Sequence, residues 1–273
     1  HRLAAGTTFE HATVPLQRSS DHAHENIKIG FAKESFCSAG YVKIRRKASS
    51  DIFNGGGIVV DIAFPSEIFE KLPEALRCGD PIGVTALIFT QGINERQTLA
   101  AVLKKGTSLE YQQQVNVRNL QRLQRLHPRL RGNFVKLGAH SAFLDRLDQH
   151  LFNLATEISN SKPHQKNVGV LICAADFMRA VGAGRATSCK SAKDRTSMSV
   201  TFEEARILAQ YHGTQPGEDF AKSLANVMRE FGVRLENCRK NVGKPRFAFN
   251  NIQRRYLPAV YKPPLSVIGT AQS

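Results

Sequence analysis

Residues 189–196 read Cys189-Lys190-Ser191-Ala192-Lys193-Asp194-Arg195-Thr196, and their types and spacing suit phosphate-ester cleavage through a phosphocysteine. Five residues between Cys and Arg are enough to wrap the backbone into a cup whose N–H groups point inward at one phosphate. If the cup runs into a helix, the unpaired N–H groups of the first turn and the positive end of the dipole face the same anion. Cys189 at the bottom of such a cup is held as the thiolate, the form that attacks phosphorus. Arg195 brings a planar, permanently charged fork for two equatorial phosphate oxygens. Thr196 is placed to hydrogen-bond the sulfur and make it a better leaving group when water hydrolyses the intermediate. Lys190, Ser191, Ala192, Lys193 and Thr196 are the candidate phosphate-binding residues.

The competing reading makes Cys189 a buried structural thiol, the usual fate of a free cysteine. Lys190, Lys193, Asp194 and Arg195 argue against it. Four charges within six residues suit an activated thiol better than a buried one.

The loop requires an element that delivers it and an element that closes it. Val168–Cys173 is a short apolar run of the kind a buried parallel strand shows. Ala174 to Val181 reads as a helical turn or two ended by Gly182 and Gly184, and Arg185–Ser188 as a short strand feeding the cup. Downstream, Met198, Phe202, Ala205 and Ala209 recur at helical spacing up to Gly213.

With its flanks Thr187-Ser188 and Ser197–Thr201, the loop resembles that of the inositol polyphosphate 4-phosphatases. Gly92–Ala100, Glu236-Asn237, Lys240–Gly243, Phe247–Asn250 and Tyr261–Pro264 extend the likeness over roughly residues 81 to 264. The resemblance implies the C-terminal catalytic domain of a phosphatidylinositol-3,4-bisphosphate 4-phosphatase that releases phosphatidylinositol 3-phosphate and needs no cofactor. It carries over Cys189 as nucleophile and Arg195 as the transition-state clamp, and gives Lys190 and Lys193 a second ring phosphate to meet. Implied partners are the phosphoinositide substrate and an anionic membrane surface. The implied location is cytoplasmic and peripheral, at endosomal or plasma membrane. The leaving alkoxide needs a proton. Asp194, in the Asp-Arg-Thr ending also seen in myotubularin and Sac-type loops, is the first candidate for that acid and Asp176 the second. Ala192 and Ser188 stand where many tyrosine phosphatases have Gly and His.

Composition agrees with an anionic partner. The 273 residues carry a net charge of +15, with a pI near 9.9. Such a balance points to nucleic acid, anionic membrane or phosphorylated substrate. Inner-leaflet lipid attracts each nearby Lys or Arg by about 1 kcal/mol. Arg118, Arg122, Arg125 and Arg129 fall on one side of a predicted helix beside Leu120, Leu123, Leu126 and Leu130, with Pro128 expected to end or kink it. Tyr41–Lys47 carries a second basic cluster. No nucleic-acid motif is present, so no nucleic-acid partner is expected.

The five cysteines, Cys37, Cys78, Cys173, Cys189 and Cys238, lack metal-ligand spacing and suit a reducing cytosol. Cys173 or Cys78 is a candidate partner for a protective disulfide with Cys189. Gly55-Gly-Gly57 lacks the Lys-Ser/Thr ending of a nucleotide loop. No apolar run approaches the length of a membrane span.

Strands are predicted at 40–46, 57–64, 82–90, 167–173 and 185–188. Helices are predicted at 66–77, 94–104, 111–127, 140–160, 195–212 and 216–231. Alternating elements argue an α/β class. The resemblance implies a cysteine-phosphatase (tyrosine-phosphatase-like) fold, a central sheet flanked by helices with the phosphate loop between strand and helix. Residues 1–50 read as an extension or the remnant of a preceding domain and 51–273 as the catalytic domain. His1 is not an initiator Met, so the chain reads as a fragment or processed form. Two other readings stay open: another cysteine-dependent phosphoinositide or protein phosphatase, and a catalytically silent phosphoinositide-binding module.

Overall fold

Period-two runs near the start of the chain, Ile27-Lys-Ile-Gly-Phe and Ile58-Val-Val-Asp-Ile, pair as strands. The computed structural model describes residues 27–34, 41–46, 58–77, 82–93, 107–162, 166–189, 193–212 and 217–269. The chain divides into two compact units between Ala86 and Leu87.

The first unit holds a four-stranded sheet of β1 (Ile27–Glu34), β2 (Tyr41–Arg46), β3 (Ile58–Pro65) and β4 (Ile82–Val84), in the order β2-β3-β1-β4. β1 and β3 run parallel with Ile27 opposite Ile58, whereas β2 and β4 pair antiparallel at the edges. The segment predicted as one helix over 66–77 is two single turns, α1 (Ser66–Phe69) and α2 (Glu74–Arg77). They are separated where Pro73 stands and disfavours a helical residue before it.

The second unit is built from α3 (Thr107–Lys136), α4 (Ser141–Ser159), α5 (Gly169–Ala180), α6 (Asp194–Tyr211), α7 (Glu218–Phe231), α8 (Val233–Val242) and α9 (Asn251–Arg255). Among its described residues the only strand-like pairing is the isolated bridge Phe247–Ile268. The expected α/β cysteine-phosphatase fold is therefore overturned, because the described residues of the unit that carries residues 189–196 are helical and hold no central sheet. The apolar run 168–173, predicted as a strand, is the start of α5, and 185–188 is irregular.

The cause lies in where α5 sits. Val170, Ala174 and Phe177 pack into a core with Leu120 and Leu123 of α3 and Leu147 and Leu154 of α4. Leu171 and Ile172 face the other way, onto a second core built from Met198 and Phe202 of α6, Ala225 of α7, Phe247 and Tyr261. A helix wedged between two cores needs no polar face, so its residues lose the amphipathic period by which helices are recognised.

The remaining predicted helices hold with shifted ends. α3 runs straight through Pro128 to Lys136. A proline removes one backbone bond, but Phe134 beyond it stacks edge-on against Phe143 of α4 at 4.9 Å, which draws the helix on. Arg118, Arg125 and Arg129 are exposed and Leu120 and Leu123 buried, as the helical spacing requires. The predicted helix 94–104 lies outside the described residues.

The predicted strand 82–90 stops at Val84, and its continuation is satisfied by side chains. Asn116 Oδ1 accepts from the Thr90 N–H at 2.8 Å, and its Nδ2 donates to the Thr90 carbonyl at 2.9 Å. Asn119 accepts from Ile88 N at 3.1 Å and Gln112 from Gly92 N at 2.7 Å. Three amides spaced four and three along α3 thus replace a neighbouring strand, meeting the need to pair buried backbone groups.

Candidate active site

Lys193 is the N-cap and Asp194 the first residue of α6. Arg195 and Thr196 follow in the first turn, where N–H groups lack helical partners and the dipole favours anions. The Thr196 hydroxyl donates to Cys189 Sγ at 3.2 Å. The sulfur is thereby held against the start of α6, in the contact expected from the sequence. Arg195 and Lys193 are half-buried. Lys190, Ser191 and Ala192, the rest of the predicted cup, lie outside the described residues.

Asp194 is buried, and its Oδ1 accepts from the Ala248 N–H at 2.8 Å. Ala248 is free to donate because a tight turn surrounds it, with Phe249 N bonded to Phe247 O at 2.8 Å. Phe247 in turn exchanges bonds with the end of the chain, from its own N–H to Val267 O and from Gly269 N–H to its carbonyl. One carboxylate therefore ties the loop helix to residues 247–249, within the Phe247–Asn250 stretch of the sequence likeness. Asp176, the second acid candidate, is engaged elsewhere. Arg206 of α6 holds it with two bonds of 3.1 and 2.7 Å, and Arg179 with one of 3.0 Å.

The approach to Cys189 is anchored by charge. α5 ends at Ala180 with Gly182 in the left-handed region at φ 66°. Four residues before Cys189, Arg185 pairs with Glu203 of α6, which also pairs with Arg179. Asp176, Arg179, Arg185, Glu203 and Arg206 thus connect α5, the approach segment and α6 in one network. Sequence reasoning did not single out Arg179, Arg185, Glu203 or Arg206, since nothing local marks residues whose partners lie on other helices.

Two further residues support the first turns of α6 from below. Arg229 of α7 is buried to 1% exposure. It donates to Met198 O at 2.9 Å, Val260 O at 2.7 Å, Lys262 O at 3.1 Å and Thr201 Oγ1 at 3.0 Å. Burial pushes its guanidinium down to about 10, with Tyr261 pulling the other way, so it is a cation at neutral pH. The Val260 and Lys262 carbonyls belong to the Tyr261–Pro264 stretch of the sequence likeness. Arg234 of α8 donates to Ser197 Oγ at 3.1 Å, and Ser197 donates to the Lys193 carbonyl.

Cys238 lies in the core below this turn. Burial pushes its thiol up to about 11 and the Asp194 charge adds to the effect, against Arg234 and Lys193. Cys173 is also pushed up to about 11, first by burial and then by Glu157 and Asp176. Both are protonated and inert at neutral pH. Cys78 and Cys37 lie outside the described residues. No group of His, Cys, Asp and Glu among the described residues has the arrangement of a metal site. No helix among them is long and apolar enough to cross a membrane.

Comparison with known proteins places this geometry in a wider setting. The family model described as INPP4A C-terminal domain matches residues 52–261. The chain is 35% identical over 219 residues to human inositol polyphosphate 4-phosphatase type II, covering 79% of this chain and 23% of that protein. It is 34% identical over 223 residues to rat type II inositol 3,4-bisphosphate 4-phosphatase, with 79% and 22% covered. It is also 26% identical over 198 residues to human phosphatidylinositol 3,4,5-trisphosphate-dependent Rac exchanger 2 protein, with 64% and 12% covered. The chain thus spans under a quarter of the length of the curated relatives it matches.

Proposed function

We propose, from the fact that this chain belongs to the INPP4A C-terminal domain family, that it is the catalytic part of a phosphoinositide phosphatase. Its substrate on this reading is phosphatidylinositol 3,4-bisphosphate, cleaved at the 4-phosphate to leave phosphatidylinositol 3-phosphate. The observation that carries the reading is the Thr196 hydroxyl held 3.2 Å from Cys189 Sγ at the start of a helix. Such a donor suits a sulfur that must leave phosphorus, and it acts on a thiol that is only half-buried.

The Cys189 thiolate attacks the 4-phosphorus, forming an S–P bond as the bond to the inositol oxygen breaks. Arg195, with Lys190, Ser191, Ala192 and Lys193, neutralises the phosphate oxygens as charge redistributes over them. The departing alkoxide takes a proton from an acid, for which Asp194 is retained as the candidate. Water then attacks phosphorus, the S–P bond breaks, and Thr196 stabilises the restored thiolate while inorganic phosphate leaves. No metal enters either step. Residues 51–273 are taken as the catalytic domain, with 1–50 as an extension or remnant of a preceding one. The proposed setting is cytoplasmic, peripheral at endosomal or plasma membrane.

A second reading is favoured by one observation. A relative named as an exchanger and not a phosphatase matches 64% of this chain, so the same module can be read as a phosphoinositide-binding domain without turnover. Phosphate release from a panel of short-chain phosphoinositides, wild type beside Cys189→Ser, separates the two. Release from the 3,4-bisphosphate, lost in the variant and indifferent to chelator, supports the phosphatase. Release from other members of the panel only would keep the chemistry and discard the substrate. Binding without release from any of them would support the silent module.

A further inference from the structure

The helical hairpin of α6 and α7 brings an apolar tip to the end of the second unit at which α6 begins. Arg229, near the end of α7, reaches Met198 and Thr201 in the first two turns of α6. The chain therefore leaves α7 beside the start of the loop helix. It turns there at Gly232, where a Cβ would lie 2.3 Å from the Met228 carbonyl oxygen, so any larger residue displaces backbone. The turn projects the residues on either side outward. Phe231 is 82% and Val233 75% exposed. Val227, one turn before Phe231, is exposed as well, and so is Leu265, whose neighbour Ser266 donates to Glu230. Single exposed apolar residues are ordinary, but several gathered at one helix end form a patch that calls for a partner.

The surroundings of that tip indicate which partner. Arg234, the next residue after Val233, is the one that donates to Ser197 in the first turn of α6. Between Phe231 and Tyr256 the sequence has seven basic residues, Arg234, Arg239, Lys240, Lys244, Arg246, Arg254 and Arg255, against Glu236 alone. Lys244 and Arg246 are exposed and lie within four residues of Ala248, which meets Asp194. An apolar tip beside seven bases, with Glu230 and Glu236 the acids near it in sequence and Glu236 paired to Arg239, is complementary to a bilayer carrying anionic headgroups. The tip enters the acyl boundary while the bases meet the headgroups.

We infer that the Phe231-Gly232-Val233 turn inserts into anionic lipid and seats the Cys189 loop against the membrane surface. The orientation of the loop toward lipid rests on the phosphoinositide reading above, but insertion itself does not. The test uses the full chain with phosphatidylcholine vesicles, with and without phosphatidylserine and free of phosphoinositide. Wild type binds the anionic vesicles, and salt weakens binding by screening the basic ring. Phe231→Ser/Val233→Ser binds at least about tenfold more weakly, the order expected when two apolar side chains no longer leave water. The chain contains no tryptophan, so Phe231→Trp provides a sole reporter. Its emission shifts to the blue on adding anionic vesicles and is quenched by brominated lipid. Vesicle binding unchanged in the double variant, or a reporter that stays water-exposed on saturated vesicles, overturns the inference and leaves the tip to a protein partner. Short-chain soluble substrate, if turned over by wild type, is turned over equally by the double variant. Absence of turnover in both would refute the phosphatase reading while leaving the vesicle result standing.

Discussion

Asp194 occupies a position where anchoring and catalysis make different demands, and substitution there tells them apart. Its Oδ1 accepts from the Ala248 N–H at 2.8 Å, in a side chain 9% exposed to solvent. Asparagine can present the same oxygen, so Asp194→Asn exchanges a charge-assisted bond for a neutral one at a cost of about 1 kcal/mol. Alanine leaves the Ala248 N–H unmet, about 1–3 kcal/mol, and removes a negative charge from the helix start, about 0.3–1 kcal/mol. Urea unfolding of the three proteins should therefore order as wild type, Asn, Ala, with the last lower by about 1.3–4 kcal/mol. Catalysis is read separately. If Asp194 protonates the leaving oxygen, Asp194→Asn lowers kcat on an inositol phosphate by about 10² to 10⁴ and far less on an aryl phosphate with a good leaving group. An alanine variant as stable as wild type refutes the anchor. Equal losses on the two substrates remove Asp194 from the acid role.

Arg229→Met should lower stability by about 3–5 kcal/mol, since it strands the Met198, Val260 and Lys262 carbonyls in the core; thermal unfolding checks it, and a loss below about 1 kcal/mol contradicts the buried network. Glu203→Gln should leave the fold standing and lower kcat, because Arg185 no longer fixes the approach to Cys189; unchanged turnover of a soluble substrate would show the network to be dispensable for positioning. Iodoacetamide near pH 7 should label Cys189 ahead of Cys173 and Cys238. The latter two thiols are pushed up to about 11, so their labelling rises only as pH approaches that value, and peptide mapping that finds Cys238 or Cys173 labelled first contradicts the assignment.

The local pattern around Cys189 was easier to read from sequence than the fold that carries it. Cys189, Arg195 and Thr196 are singled out by spacing alone, because the proposed phosphate cup is a local device of eight residues, and the Thr196–Cys189 contact lies within it. The start of α6 is also local, set by the apolar period from Met198 onward. The sheet expectation failed at Val168–Cys173, where burial on two sides erased the helical period and left a run that reads equally as strand. α8 was not foreseen because its apolar residues are few; Leu235 and Cys238 are buried among its described side chains. The Asp194–Ala248 bond spans 54 residues and the Arg229 bonds about 30. Sequence spacing carries no trace of contacts so distant, although the family-like stretches 247–250 and 261–264 marked their far ends without saying what they touched.

The central claim is that Cys189 carries phosphate during turnover. Mixing the protein with a short-chain 3,4-bisphosphate, quenching in denaturant within the first turnover and mapping peptides by mass tests it directly. The account predicts one phosphoryl group on the peptide containing Cys189, enriched in Thr196→Val because the sulfur is a poorer leaving group without its hydroxyl partner. Turnover that proceeds with no phosphoryl adduct in either protein, or that persists in Cys189→Ser, would contradict it.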